Sequence, residues 1–498
     1  MITFLLAIVG LVLGYVIYGA IVDKVFQPNA KFKTPAMRKD ADGVDYVPMN
    51  WRKVMLIQFI SIAGTGPIFG AIAGALWGPA AYLWIIFGCI FAGAVHDYFA
   101  GMLSVRNNGS SVSEVVGKYL GKVPRNIMRV FSIVLLVLVG TVFTTTPSMI
   151  FDNMIAPGPR THWYFIALAV IIVYYIIATI TPIHKIIGRI YPAFGILLTF
   201  TGVAIFVMLF VKGHMIGAPE LELRNFHPNR GVSMLAMVFP FLCITIACGA
   251  ISGFHATQAP LMARCIRNER EGRKVFYGSM VLEGFIAMIW AAAAMTFFGG
   301  GEGLQAALPA PNVVTEVSRG LLGPVIGTVV ILGVILFPVT SGDTAFRAAR
   351  LILADSFKFS QQPIKNRFAL ALPIFAIGIV LCFVDFGIIW RYFAWSNQTL
   401  ATIVLWTAAA YLAKTSKNYW IALVPATFMT VVVTSYIIIA PEGFRVPSYA
   451  IGLTAGLVTA VTLFTTFIYF VAIKQRGTLV EEERQLLEGH EVSQESLG

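Results

Sequence analysis

Two short runs interrupt long apolar stretches of this chain, Ser61-Ile62-Ala63-Gly64-Thr65-Gly66-Pro67 and Ala247-Cys248-Gly249-Ala250-Ile251-Ser252-Gly253. No regular helix passes cleanly through either. Glycine costs about 1 kcal/mol in a helix interior and proline about 3 kcal/mol. In lipid each freed backbone group must also find another partner, so such breaks persist where they line a cavity. The same glycines also suit close helix packing, because small residues enrich membrane helix interfaces.

With 58% hydrophobic and 12% charged residues over 498 positions, the chain reads as a polytopic membrane protein. A membrane span needs about 20 mostly apolar residues, and the sequence offers thirteen such stretches. The second (54–76) and seventh (233–254) carry the two interruptions. The first has no basic n-region and no clear cleavage site, so it reads as a retained helix. The five cysteines lie in or beside apolar segments without metal-ligand spacing and read as small buried hydrophobes.

Net charge is +12, which in a soluble chain would suggest nucleic acid. Its distribution argues otherwise. All but Arg160, Lys212, Arg224, Arg230, Arg319, Arg391 and Arg445 of the 36 Lys and Arg lie in connections after odd-numbered spans or in the C-terminal tail. The positive-inside rule then puts the N-terminus outside and the C-terminus in the cytoplasm, with the basic loops facing anionic headgroups. Residues 23–53 become a charged cytoplasmic loop, 213–232 and 299–321 exterior loops, and the tail a solvated helix or disorder.

Spans two to six and seven to eleven each begin with an interrupted helix. Because five is odd, the second set is inverted relative to the first, as the charge distribution independently requires. Two broken spans in corresponding positions of inverted halves mark the midplane site of a secondary transporter. Gly64 lies ten residues into span two, about half of a roughly 30 Å hydrocarbon core at about 1.5 Å per residue. The expected organisation is a peripheral first helix (1–22), a first five-helix repeat (54–211), an inverted second repeat (233–412), two peripheral helices (419–473) and a cytoplasmic tail (474–498).

Ionisable groups inside spans are expensive and are functional candidates. Glu283 in span eight, nine residues from Lys274, reads as the deepest carboxylate, and burial disfavours its charged form. It is a candidate for proton exchange, or a protonated group bonded to a neighbouring helix. His96-Asp97 ends span three; adjacent helical positions do not face each other, so one is expected to face the pathway while the other anchors the cytoplasmic end. Span nine ends in Phe337-Pro338-Val339-Thr340-Ser341-Gly342-Asp343-Thr344, read as a third interruption. Thr340, Ser341 and Asp343 there are hard oxygen ligands suited to Na⁺ or a proton relay, or hydroxyls that satisfy a proline-kinked backbone. His255 and Gln258, just past the second break, either contact substrate or cap the bend. Asn397 and Gln398 read as polar support between helices.

Two hydrolase-like runs fail on inspection. Ala250-Ile251-Ser252-Gly253 lacks the first glycine of a membrane serine-protease motif and has no identifiable paired histidine. Thr340-Ser341-Gly342-Asp343 lacks the first glycine of an intramembrane aspartyl-protease motif. The chain is not expected to be an enzyme.

Gln58 to Pro67, Gly93-Ala94-Val95-His96-Asp97-Tyr98, Ser252 to Pro260 and Trp395-Ser396-Asn397-Gln398-Thr399-Leu400-Ala401 together resemble the signatures of the carbon starvation protein A (CstA) family, with this chain a short-form member. The resemblance covers most of the chain. It implies the APC superfamily and an all-α, LeuT-like core of two inverted five-helix repeats, with span nine as the helix that helps bind a coupling ion. It also implies uptake of peptides or, in similar proteins, of pyruvate with protons.

The expectation is thus an ion-coupled importer in the cytoplasmic membrane, driven by H⁺ or Na⁺ and using no cofactor or metal. Its partners are a small-molecule substrate and the bilayer, with no nucleic acid and no obligatory protein. Half-helix N-termini at both breaks would receive the substrate carboxylate, with Gly64, Thr65, Gly66, Gly249, Ser252, Gly253, His255 and Gln258 around it. Thr340, Ser341, Asp343, Glu283, His96 and Asp97 would serve the coupling ion or proton. The alternative is a membrane sensor that binds the nutrient without net transport.

Overall fold

Helices make up most of the described chain, as lipid demands of a backbone with no water to bond. The computed structural model describes residues 1–38, 46–156, 160–180, 183–221, 237–361 and 363–488. The helices are α1 (Ile2–Phe26), α2 (Trp51–Ala63), α3 (Gly66–Trp77), α4 (Ala80–Arg106), α5 (Val112–Leu120), α6 (Lys122–Ile155), α7 (His162–Ile180), α8 (Ile183–Val211), α9 (residues 237–245) and α10 (Phe254–Ala263). They continue with α11 (Glu269–Phe297), α12 (Gly301–Ala307), α13 (Ala310–Ser356), α14 (Ile364–Cys382), α15 (Phe386–Lys414), α16 (Trp420–Ile439), α17 (Tyr449–Ile473) and α18 (Val480–Glu488).

Among the described residues ten helices are long and apolar enough to cross a membrane, or eleven if the bent α2–α3 pair is one span. The other two apolar stretches read from the sequence correspond to the broken α9–α10 segment and to α15. Part of the 213–232 loop and the tail beyond Glu488 lie outside the described residues. Helices α1, α14 and α17 bury under a third of their apolar windows, so they stand on the outside with apolar faces suited to lipid.

Both expected breaks are present. Helix α2 ends at Ala63, Gly64 turns with φ 43° and ψ −143°, and α3 departs at a 49° bend. Only glycine adopts that conformation readily. In the second pair, Ile246 leaves helical geometry with φ −96° and ψ 77°, and the helix resumes at Phe254. The pairs run antiparallel: Met49, just before α2, donates its N–H to the carbonyl of Cys265, just after α10, at 3.0 Å. At mid-length they touch, and Gly66 meets Cys248 with no room for a side chain between them.

The expected third interruption is not one. Helix α13 continues through residues 337–344, and its departure from helical geometry is instead at Gly323 (φ 75°, ψ 179°), immediately before Pro324. The hydroxyls around Pro338 turn back onto their own helix. Thr340 Oγ1 donates to the Phe337 carbonyl at 2.8 Å and Thr344 Oγ1 to that of Ser341 at 2.9 Å. Both bonds stay within α13; the carbonyl that Pro338 leaves without its helical N–H is that of Val334, four residues back.

One end of the bundle is tied by a buried ionic knot. Arg106, ending α4, binds Glu269 through Nε to Oε1 at 2.9 Å and Nη2 to Oε2 at 3.1 Å. It also reaches Glu483 of α18, Tyr411 of α15 at 2.5 Å and the Gln27 carbonyl at 3.0 Å, and its guanidinium lies 3.9 Å from the Phe26 ring centroid. Lys417 adds a bond to Glu483 at 2.8 Å; burial pushes its ammonium below the ordinary lysine value, and neighbouring Arg106 pushes the same way. In the tail, read as a solvated helix or disorder, residues Val480–Glu488 form a helix with no buried residue, which Glu483 ties to the bundle. Because Glu269 is fully buried, Arg106→Ala would strand its charge and cost about 3–5 kcal/mol. Thermal unfolding of the solubilised protein should show a clear drop in midpoint; an unchanged midpoint would mean the knot contributes nothing.

Candidate functional site

At the opposite end the helices part around a cavity of about 1490 Å³. Its floor includes Phe69 of α3, Thr245 at the end of α9 and Trp390 of α15. Its walls carry both signs of charge, with Arg160, Arg319 and Arg391 facing Asp152, Glu316 and Asp385. The vestibule therefore stops at the first turn of each half-helix beyond the breaks.

The glycines expected around substrate lie one layer deeper, packed between the broken segments and against the helices around them. Gly64 sits under the ring of Phe143, Gly66 against Cys248, Gly249 against Ala287, and Gly253 against the backbone of α15 at Asn397 and Ala401. None of them lines the vestibule. The Phe143 ring packs edge-on to Phe254 at 6.0 Å, so one aromatic covers both breaks. Thr65 is buried beside Gly64 with a hydroxyl that has no partner among the described residues. Gln258 donates to Thr257 Oγ1 at 3.0 Å, while its carbonyl oxygen is likewise unpartnered.

Asn397 and Gln398 of α15 hold the two ends of the second break. Asn397 Oδ1 accepts from the Phe254 N–H at 2.7 Å, and its main-chain carbonyl accepts from the Gly253 N–H at 3.1 Å. Its Nδ2 donates to Ser252 Oγ at 3.0 Å. Gln398 Nε2 donates to the Cys243 carbonyl at 2.5 Å, and Trp84 Nε1 to the Ile246 carbonyl at 3.0 Å. Orphan groups on both sides of the break thus find partners on α15 and α4. This corrects the expectation for α10: its N-terminal N–H groups are capped by Asn397, so they are not free for a carboxylate in this conformation. Asn397→Ala would orphan the buried Phe254 N–H at about 1–3 kcal/mol. A lower unfolding temperature together with reduced uptake is expected; wild-type behaviour in both assays would deny the capping role.

Below the breaks lies a chain of four fully buried ionisable side chains from three helices. His96 Nδ1 is 2.7 Å from Asp97 Oδ1, Asp97 Oδ2 is 2.8 Å from His255 Nδ1, and His255 Nε2 is 3.1 Å from Glu283 Oε2. Two expectations fail at this point. His96 and Asp97 do touch, although neighbours in a helix point about 100° apart. Helix α4 is buried on every side from Ala94 to Arg106, so neither side chain has lipid to face and the imidazole folds back onto the carboxylate. Nor does Asp97 end its helix: α4 runs nine residues further to Arg106, and one imidazole joins Asp97 to Glu283, so the two carboxylates lie together.

Asp343 and its neighbours are elsewhere. Asp343 Oδ2 is 3.4 Å from Nη2 of Arg347, one turn on in α13, and that guanidinium also donates to the Ala178 carbonyl at 2.7 Å. Thr340 directs its hydroxyl at its own helix. The structure does not bring Thr340, Ser341 and Asp343 into the four-residue chain.

Sequence reading missed Cys248 as part of the site. Its Sγ, a ring nitrogen of His255 and a carboxylate oxygen of Glu283 all lie within 4.8 Å of one another. No local spacing announces a group assembled from the second break, the helix that follows it and α11; the one signal was that Cys248 sits inside an interruption.

The model of a family described as Carbon starvation protein CstA matches residues 1–172, 156–319 and 306–436. An uncharacterized membrane protein of Haemophilus influenzae is 42% identical over 353 residues, covering 62% of this chain and 95% of that one. A peptide transporter CstA of Bacillus subtilis is 25% identical, covering 93% of this chain and 94% of its own length. The pyruvate/proton symporter BtsT of Escherichia coli is 30% identical over 330 residues, but the match spans only 46% of that protein. In fold, the chain resembles MhsT in complex with L-phenylalanine (TM-score 0.55, 13% identity, 86% of this chain and 99% of that one). It also resembles MHP1, a nucleobase-cation-symport-1 family transporter (TM-score 0.53, 13% identity, 89% and 98%). The protein is therefore an all-α, multi-pass membrane protein resembling LeuT-fold transporters. Since the matched segments run from residue 1 to residue 436 of 498, the chain belongs to the carbon starvation protein CstA family, secondary active transporters rather than enzymes.

Proposed function

We propose that the protein imports a small carboxylate-bearing nutrient, a peptide or pyruvate, together with protons. The observation that carries this reading is the contact of two antiparallel broken helices between a charged vestibule and the buried chain His96, Asp97, His255 and Glu283. The names of the peptide transporters and of the pyruvate/proton symporter among its relatives support the substrate class. Substrate entering from the vestibule would part α3 from α9–α10 and settle among Gly64, Thr65, Gly66, Gly249, Ser252, Gly253 and Gln258, with N–H groups at the α3 N-terminus facing its carboxylate.

Protons are preferred over Na⁺ on specific contacts. The oxygen groups expected to hold Na⁺ are engaged, Asp343 by Arg347 and the Thr340 hydroxyl by Phe337, whereas the four-residue chain offers adjoining sites able to hold a proton. The reading includes the inverted repeats 54–211 and 233–412, peripheral helices at 1–22 and 419–473, and the tail 474–498 in the cytoplasm. The ionic knot would then close the cytoplasmic side and the vestibule would face out, in line with the placement of the basic loops. Alternating access would rock one set of helices against the other around the breaks.

Reconstituted protein tests this with labelled pyruvate and a labelled dipeptide under imposed H⁺ or Na⁺ gradients. Accumulation of one of them under the H⁺ gradient is expected. Binding without accumulation under either gradient would point to a sensor.

A further inference from the structure

The buried chain has an unused face. Although His255 Nε2 and Glu283 Oε2 are 3.1 Å apart, they are not aligned as a hydrogen bond. Nε2 and both Glu283 oxygens have no hydrogen-bond partner among the described residues. Together with Cys248 Sγ they form a group of donor atoms all within 4.8 Å of one another on fully buried residues. Donors bound to one zinc ion at about 2.0–2.3 Å stand about 3–4 Å apart, so a small inward movement brings all three onto one ion.

The surroundings suit such an ion. Nδ1 of His255 faces Asp97 Oδ2 at 2.8 Å, and a carboxylate on that nitrogen directs the other one to a metal. Asn397 Nδ2 donates toward Cys248 Sγ at 3.5 Å, a contact that favours a thiolate. One thiolate and one carboxylate neutralise a divalent cation, removing the cost of isolated charge in a buried place.

We propose that Cys248, His255 and Glu283 bind a divalent metal ion of the zinc type, with Asp97 as the positioning residue for His255, and that the bound ion blocks transport by fixing the second break. Thiolate and imidazole ligands favour zinc over magnesium or calcium. On binding, the Cys248 S–H bond gives its proton to solvent, the sulfur lone pair forms the bond to the metal, Glu283 binds as the carboxylate, and no oxidation state changes. The block rests on the transport reading above, whereas the binding does not.

Cobalt(II) added to the purified full chain in nanodiscs is the probe, since a thiolate ligand gives cobalt a near-ultraviolet charge-transfer band. One cobalt per chain is expected. Cys248→Ser should abolish the band, Cys265→Ser should keep it, and Asp97→Asn should weaken binding about 10- to 100-fold. No band in folded wild-type protein, or a band that survives Cys248→Ser, overturns the site. Should Cys248→Ser fail to fold, X-ray absorption of the zinc-loaded wild type decides: a sulfur ligand supports the site and purely N/O ligation overturns it. Where cobalt binds here, wild-type uptake that is insensitive to zinc overturns the block alone.

Discussion

Gly253→Ala should reduce uptake to background, an effect far beyond one methyl group. The added Cβ would lie 2.6 Å from the main-chain nitrogen of Ala401 and 2.8 Å from Leu400 Cβ, and closer still to the Asn397 carbonyl. These atoms belong to the framework of α15 and cannot swing aside. Overpacking of this kind typically costs about 1–3 kcal/mol, and relief by moving α10 away would break the caps that Asn397 places on Gly253 and Phe254. Leucine at Gly253 or Gly64 extends the insult; at Gly64 it meets both the Phe143 ring and a backbone with φ 43°. Gly10→Ala is the control, because its Cβ meets only the Ile86 side chain at 3.5 Å. Initial uptake rates at matched amounts of folded protein measure the effect. Normal rates in Gly64→Leu and Gly253→Leu would remove the breaks from the transport pathway.

The second large effect belongs to Glu283→Gln. Glutamine keeps the volume of a fully buried side chain but cannot release or take up a proton at that position. Accumulation driven by a proton gradient should vanish, while exchange of labelled for unlabelled substrate across the membrane continues, because exchange needs the substrate site and not net proton movement. Asp97→Asn should behave alike, since Asp97 joins both imidazoles of the chain. Gradient-driven accumulation at the wild-type level in Glu283→Gln would exclude its carboxylate as the proton carrier.

The two breaks were legible because glycine and proline act locally on the backbone, and both runs unwind where their composition says. Pro338 misled because a membrane helix can carry a proline without breaking, and α13 stays helical through residues 337–344. The real departure, at Gly323 before Pro324, carried an equally local signal that the apolar pattern masked. Site residues were legible one at a time as costly polar groups in apolar spans. Their assembly was not, since Asp97, Cys248 and Glu283 meet only through three-dimensional packing of α4, the second break and α11. The double role of Asn397, capping one half-helix and tethering Ser252, likewise depends on α15 lying against the break.

Coupled proton entry is the most direct consequence of placing the buried chain beneath the two breaks. Proteoliposomes holding a trapped pH-sensitive dye, with no imposed gradient other than substrate added outside, report it. Wild-type protein should acidify the lumen when pyruvate or the dipeptide is added, and Glu283→Gln should not. Substrate entry by the wild type with no change in lumenal pH would contradict proton coupling through this site.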